Sequence, residues 1–184
     1  MAAKIILLNG VGSAGKSTLA RAILAQAHDV FLHVPMDYWL EMMPGRTLGT
    51  ADGLTFETAE RDGKPVITVV SGPAQERALR GIRHAVAAMA AQGSNMEVDE
   101  VLFGDEAWNE YHALLKPYAF HTVGVFAPLD VLEAREKARG DRAIGLARGQ
   151  FDVVHRGRTY DITVDTAASS ADDCARAIVE RFGL

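Results

Sequence analysis

Lys16 and Ser17 close the run Gly10-Val11-Gly12-Ser13-Ala14-Gly15-Lys16-Ser17-Thr18, which reads G-x-x-x-x-G-K-S. Residues of these types at this spacing bind phosphate. Glycines let consecutive backbone N–H groups turn inward around phosphate oxygens, and a helix N-terminus adds a positive dipole end. Lys16 is placed to reach β- and γ-phosphates, and the Ser17 hydroxyl to ligate Mg²⁺. Gly10, Gly12, Ser13, Ala14, Gly15, Lys16, Ser17 and Thr18 are therefore the expected nucleotide contacts. ATP and Mg²⁺ are the expected cofactors.

Phosphoryl transfer also needs a group that orients the acceptor and cations that neutralise the transition state. Asp37 follows the apolar run Phe31-Leu32-His33-Val34 by three residues. There it can accept a hydrogen bond from an attacking hydroxyl and take its proton late in the reaction. The same residue would also serve as an N-cap for a helix starting at Tyr38. Asp99 and Glu100 end the run Met96-Glu97-Val98-Asp99-Glu100. Either carboxylate suits the Mg²⁺ shell, with Asp99 beside Ser17 the candidate metal pair, and either suits contact with the acceptor. Arg139 and Arg142 flank Gly140-Asp141, and Arg135 shares a helix face with Arg139. They read as lid cations folded over the γ-phosphate, or as a solvated basic face. Arg139 is also counted among the nucleotide contacts. Trp39, Met42, Met43, Phe56, Phe103 and Trp108 are apolar residues near strand-end loops. They line either a pocket for an aromatic substrate or the core. Of these, Trp39, Met43, Phe56 and Phe103 join Asp37, Asp99 and Glu100 as expected acceptor contacts. The six histidines show no metal-ligand spacing and read as structural or exposed.

The elements that must position these groups alternate between apolar runs and helical patterns. Strands are predicted at 4–8, 31–34, 96–102, 122–126 and 160–164, and helices at 16–27, 37–43, 75–92, 108–115, 128–139 and 171–182. The implied fold is α/β, a doubly wound five-stranded parallel sheet with its ligand crevice at the carboxyl ends of the strands. Two segments break the alternation. Residues 54–70 carry β-branched runs around Asp62-Gly63, the signature of a hairpin insertion, either flanking a substrate site or serving as a structural flap. Residues 133–150 are rich in arginine and lie where small kinases carry a closing lid, for which Gly140 supplies the bend.

The 184 residues are expected to form a single domain with a substantial core. A net charge of −5 without any basic block disfavours nucleic-acid binding. No run approaches the ~20 apolar residues of a membrane span. The N-terminal apolar run leads straight into the phosphate loop, so it is read as a strand and not a signal peptide. Cys174 is the single cysteine, which excludes an intrachain disulfide. A cytoplasmic enzyme acting on a small hydroxylated molecule is the simplest expectation, with a homo-oligomer left open.

Beyond the phosphate loop, two blocks are more specific. They are Asp37-Tyr38-Trp39-Leu40-Glu41-Met42-Met43-Pro44 and Ala138-Arg139-Gly140-Asp141-Arg142. Together with 153–161 and 164–166, they resemble the chloramphenicol phosphotransferase family, in order over nearly the whole chain. That resemblance implies a shikimate-kinase-like P-loop fold and ATP-dependent phosphorylation of a primary hydroxyl of chloramphenicol. It makes Asp37 the base and Arg139 and Arg142 phosphate or lid residues. Three departures stand out: Gly10-Val11-Gly12-Ser13 in place of Gly-Gly-Ser-Ser, Asp99-Glu100 in place of Asp-Asp, and a longer hairpin around 61–64. The competing readings are a kinase of a sugar, sugar acid or shikimate-like metabolite, and a nucleotide-dependent switch. No guanine-reading Asn-Lys-x-Asp motif supports the latter as a GTPase.

Overall fold

Ile5 and Leu7 belong to one hydrophobic core and Ile6 and Leu8 to another, all four fully buried. That division is the two-residue period of a strand covered on both faces. The computed structural model, which describes residues 2–140 and 143–184, builds a parallel sheet on this strand. Arg142, expected as a lid cation, and Asp141 lie outside the described residues.

The strands are β1 (Lys4–Gly10), β2 (Phe31–Pro35), β3 (Leu54–Arg61), β4 (Lys64–Ser71), β5 (Asn95–Glu100), β6 (Ala119–Phe126) and β7 (Ile162–Asp165). The helices are α1 (Lys16–Gln26), α2 (Met36–Glu41), α3 (Pro73–Ala91), α4 (Gly104–Leu115), α5 (Leu129–Arg139), α6 (Leu146–Phe151) and α7 (Ala171–Phe182). Five strands form one parallel sheet in the order β2-β5-β1-β6-β7. The core containing Ile6 and Leu8 includes residues of α1 and α7, and that containing Ile5 and Leu7 includes residues of α3 and α4. The sheet is thus doubly wound, as the alternation predicts. Among the described residues no helix is long and apolar enough to cross a membrane.

β3 and β4 form an antiparallel two-stranded sheet of their own, turning through Asp62 and Gly63, which have φ of 56° and 70°. Two consecutive positive-φ residues are what a tight primed turn requires, so the Asp-Gly signal places this hairpin correctly. An isolated two-stranded ribbon is marginal in water. This one docks on α6. The Ile67 N–H donates to the Gly145 carbonyl at 3.0 Å. At Gly149 any Cβ would lie 1.9 Å from the Ile67 carbonyl oxygen, so only glycine allows the approach. The two segments that interrupt the alternation therefore pack on each other.

Three expectations shift. β5 ends at Glu100, because the Leu102 N–H leaves the ladder to donate to the Asn9 Oδ1 at 2.9 Å. α4 begins at Gly104, a turn earlier than predicted. α6 was not predicted at all. Its first turn is held by Glu136, a buried carboxylate that accepts from Gly145 N–H at 2.8 Å and Ala147 N–H at 2.7 Å.

Candidate active site

The phosphate loop joins β1 to α1 at the carboxyl edge of the sheet. Gly10 is required by close approach, since a Cβ there would lie 2.5 Å from the Val125 carbonyl oxygen on β6. Ser13, Gly15, Lys16, Ser17 and Thr18 line a cavity of about 90 Å³ with Asp37, Asp99 and Arg139. Gly10, Gly12 and Ala14 do not line it. The Ala14 N–H donates to the Val11 carbonyl at 3.1 Å, and the Gly12 N–H to the buried Gln150 Oε1 at 2.7 Å. These three positions shape the loop. Two of the amides expected to point inward already have partners in the protein.

Lys16 Nζ donates to the Gly10 and Val11 carbonyls at 3.1 and 3.2 Å and lies 3.6 Å from Asp99 Oδ1. Ser17 Oγ donates to Asp99 Oδ2 at 2.7 Å. Hydroxyl, carboxylate and ammonium thus converge, although Ser17 and Asp99 come from α1 and β5. Strand alternation separates Asp99 from its neighbour. Glu100 points to the other face of the sheet, where its Oε1 accepts from the Tyr111 hydroxyl at 2.7 Å. Burial pushes the Glu100 carboxyl up to about 7, against the hydrogen bond from Tyr111. Glu97 shares Asp99's face and is fully buried against His33. Burial raises Glu97 to about 7 as well, against the hydrogen bond to His33.

Asp37 sits in the first turn of α2, inside the helix. Pro35 occupies the cap position, so the N-cap alternative for Asp37 does not hold. Arg139 is the last residue of α5, and Gly140 stops the helix in the left-handed conformation (φ 69°). Gly140 is thus a helix C-terminator. Arg135 does not reach the donor cavity. Its guanidinium donates to the Thr166 hydroxyl and carbonyl, both at 2.9 Å.

A larger cavity, about 660 Å³, opens beside the first and shares Met36, Asp37, Val101 and Arg139 with it. Phe56, Glu100 and Phe103, three of the expected acceptor contacts, line it. Asp99 does not; it belongs to the donor side. Trp39 packs against the core with Leu79 and Trp108, and Met43 lies outside the cavity wall. A third cavity, about 480 Å³, lies along Ser13, Thr18, Arg135, Arg139 and Thr166 on the loop's other flank. Asp37 is common to the first two cavities, and Arg139 to all three.

Gln75, Arg83 and Gln150 were missed. They are buried polar residues lining the larger cavity. On the helical pattern Gln75 and Arg83 read as ordinary surface residues, Gln150 lies on a helix that was not predicted, and only the tertiary fold turns all three inward.

A nucleotide-phosphate cradle with a carboxylate and a guanidinium shared by an adjoining cavity is the arrangement of a P-loop small-molecule kinase. Among solved structures, the Mycobacterium tuberculosis adenylylsulfate (APS) kinase with AMPPNP and APS superposes with a TM-score of 0.69, at 16% identity, covering 100% of this chain and 99% of that one. A sugar kinase from Janibacter sp. HTCC2649 gives 0.69 at 14% identity, covering 98% of this chain and 95% of that one. A provisionally named O-phosphotransferase, found in two Mycobacterium tuberculosis strains (CDC 1551 and H37Rv), is 31% identical over 184 residues. That match covers 97% of this chain and 82% of the relative. The chain belongs to the chloramphenicol phosphotransferase-like family, whose sequence pattern matches residues 3–183.

Proposed function

We propose that the chain, acting as one kinase unit with its hairpin and lid, transfers the γ-phosphate of ATP to a hydroxyl of a small, uncharged, antibiotic-like aromatic molecule, with chloramphenicol the first candidate. The observation that carries this reading is the shared wall: Asp37 and Arg139 border both the phosphate cradle and the 660 Å³ cavity. An acceptor held in the larger cavity has its hydroxyl within reach of the carboxylate. Asp37 orients that hydroxyl and receives its proton as oxygen attacks the γ-phosphorus. The bond from the γ-phosphorus to the bridging oxygen breaks, and ADP leaves with the electron pair. Lys16 and Arg139 neutralise charge on the moving phosphoryl group. Ser17 and Asp99, an adjacent hydroxyl and carboxylate at the cradle, fit a hard divalent cation. They are the residues that would hold Mg²⁺, which supplies charge neutralisation at the phosphates. ATP is a cytoplasmic metabolite, and we place the reaction there.

The cavity chemistry favours an uncharged acceptor over a sugar acid. Leu40, Leu54, Phe56, Leu79, Leu102 and Phe103 supply apolar wall. Its buried guanidinium, Arg83, is already engaged by Glu110, and Glu100 by Tyr111. The test is ATP consumption over a panel of hydroxylated antibiotics and sugar acids, with mass spectrometry of products. A chloramphenicol product carrying one added phosphate is the expected result. Phosphorylation of a sugar acid alone would transfer the assignment to the metabolite reading. Nucleotide binding without phosphorylation of any panel member would favour the switch.

A further inference from the structure

Gln75, Leu79 and Arg83 recur every four residues along α3 and all line the 660 Å³ cavity, so one stripe of this helix forms part of its wall. Arg83 is held by Glu110. Gln75 differs. It is only 3% exposed, and its Nε2 is buried with no hydrogen-bond partner among the described residues. Native proteins keep few such groups, and each calls for an explanation. Leu54, Phe56, Leu79 and Phe103 belong to the same lining. Gln75 does not border the phosphate cradle, whereas Asp37 does. A group read by Gln75 is therefore distinct from the hydroxyl that reacts.

We propose that Gln75 is the specificity-determining residue of the acceptor cavity, reading an uncharged carbonyl or amide group of the acceptor away from its phosphorylated hydroxyl. The reading rests on the acceptor site proposed above. A primary amide presents a donor and an acceptor side by side in one plane. A planar amide on the substrate is its natural complement, and a charged group is not. Leaving the Gln75 donor unmatched beneath a bound acceptor disfavours any acceptor that lacks such a group.

The test uses Gln75→Leu and Gln75→Met, which remove the amide and keep the bulk. The probes are chloramphenicol, which carries an amide carbonyl, and its deacylated amine. Gln75→Leu is expected to raise KM for chloramphenicol by about tenfold or more, with kcat and nucleotide affinity within about threefold of wild type. It is also expected to erase the wild-type preference for the amide over the amine. Thermal unfolding without acceptor gives an independent readout. Tm should hold or rise, because an unmatched buried amide has been replaced by an apolar group. An unmoved KM, or a Tm lowered in both variants, overturns the proposal. If wild type ignores chloramphenicol, the proposed acceptor falls, and the KM comparison moves to whichever panel compound is phosphorylated. If none is phosphorylated, both proposals fall.

Discussion

Asp99 and Glu100 are neighbours in the chain and face opposite sides of the sheet. One meets Ser17 and Lys16, the other Tyr111 and the acceptor cavity. The order Asp-Glu at the end of β5 thus gives the donor side a carboxylate and leaves the acceptor side a carboxyl that burial holds near neutrality. Glu97 and Glu100, both raised from 4.5 to about 7, bind more protons folded than unfolded between those values. His33, raised by its bond to Glu97, acts with the same sign, while His155, lowered by burial to about 4, and His121, also lowered by burial, oppose the three without outnumbering them. Stability should therefore fall as pH rises from about 4.5 towards 7 and beyond. Glu100→Gln should flatten that slope, as read by Tm across pH; a Tm that climbs over this range in wild type contradicts the assignment. At the reacting end, Asp37→Asn should lower kcat by about 10²–10⁴ while nucleotide affinity stays near wild type. Calorimetry and initial rates check both, and turnover near wild type removes Asp37 from the mechanism. The phosphate loop, Asp37 and Arg139 could be found in the sequence because each stands beside a strand or helix terminus that its neighbours announce. Gln75 could not, because nothing in a helical pattern distinguishes a buried amide from an exposed one, and Gln150 could not, because the helix that carries it left no pattern.

α6 connects more of the site than its six residues suggest. Its N-terminal amides rest on Glu136 of α5, the helix that carries Arg139. Its Gly149 admits the Ile67 carbonyl of the hairpin, and its Gln150 holds Gly12 of the phosphate loop. Gly149→Ala should force α6 from β4 and cost about 1–3 kcal/mol, measured by the urea midpoint. Loss of turnover should exceed what that destabilisation explains, since Gln150 moves with the helix. Wild-type rates in a folded Gly149→Ala protein would show that the link is idle. This helix was invisible in the sequence for physical reasons. It is short, carries glycine in its interior, and is held by tertiary contacts and not by propensity. The hairpin was legible because Asp62-Gly63 between β-branched runs has few other conformations to adopt.

Across the whole molecule, the phosphate cradle and the proposed acceptor cavity are separate spaces that meet at a shared wall. Direct transfer between them needs both substrates present, so initial-rate plots should intersect. Parallel lines, the mark of a phosphorylated enzyme intermediate, would refute the mechanism. The doubly wound sheet was readable from the alternation of strands and helices, since only a few topologies satisfy it. The docking of residues 54–70 on 133–150 was not, because packing between distant segments leaves no periodic trace. The hairpin shares no ladder with the five-stranded sheet. Substitutions on its cavity-facing side, at Phe56 or Val69, can reshape the acceptor wall without disturbing a hydrogen bond of the sheet that carries the phosphate loop. Selection for a new substrate can therefore act on these hairpin side chains while the Ile67 backbone stays docked on α6, leaving the phosphoryl-transfer frame intact while its clientele drifts.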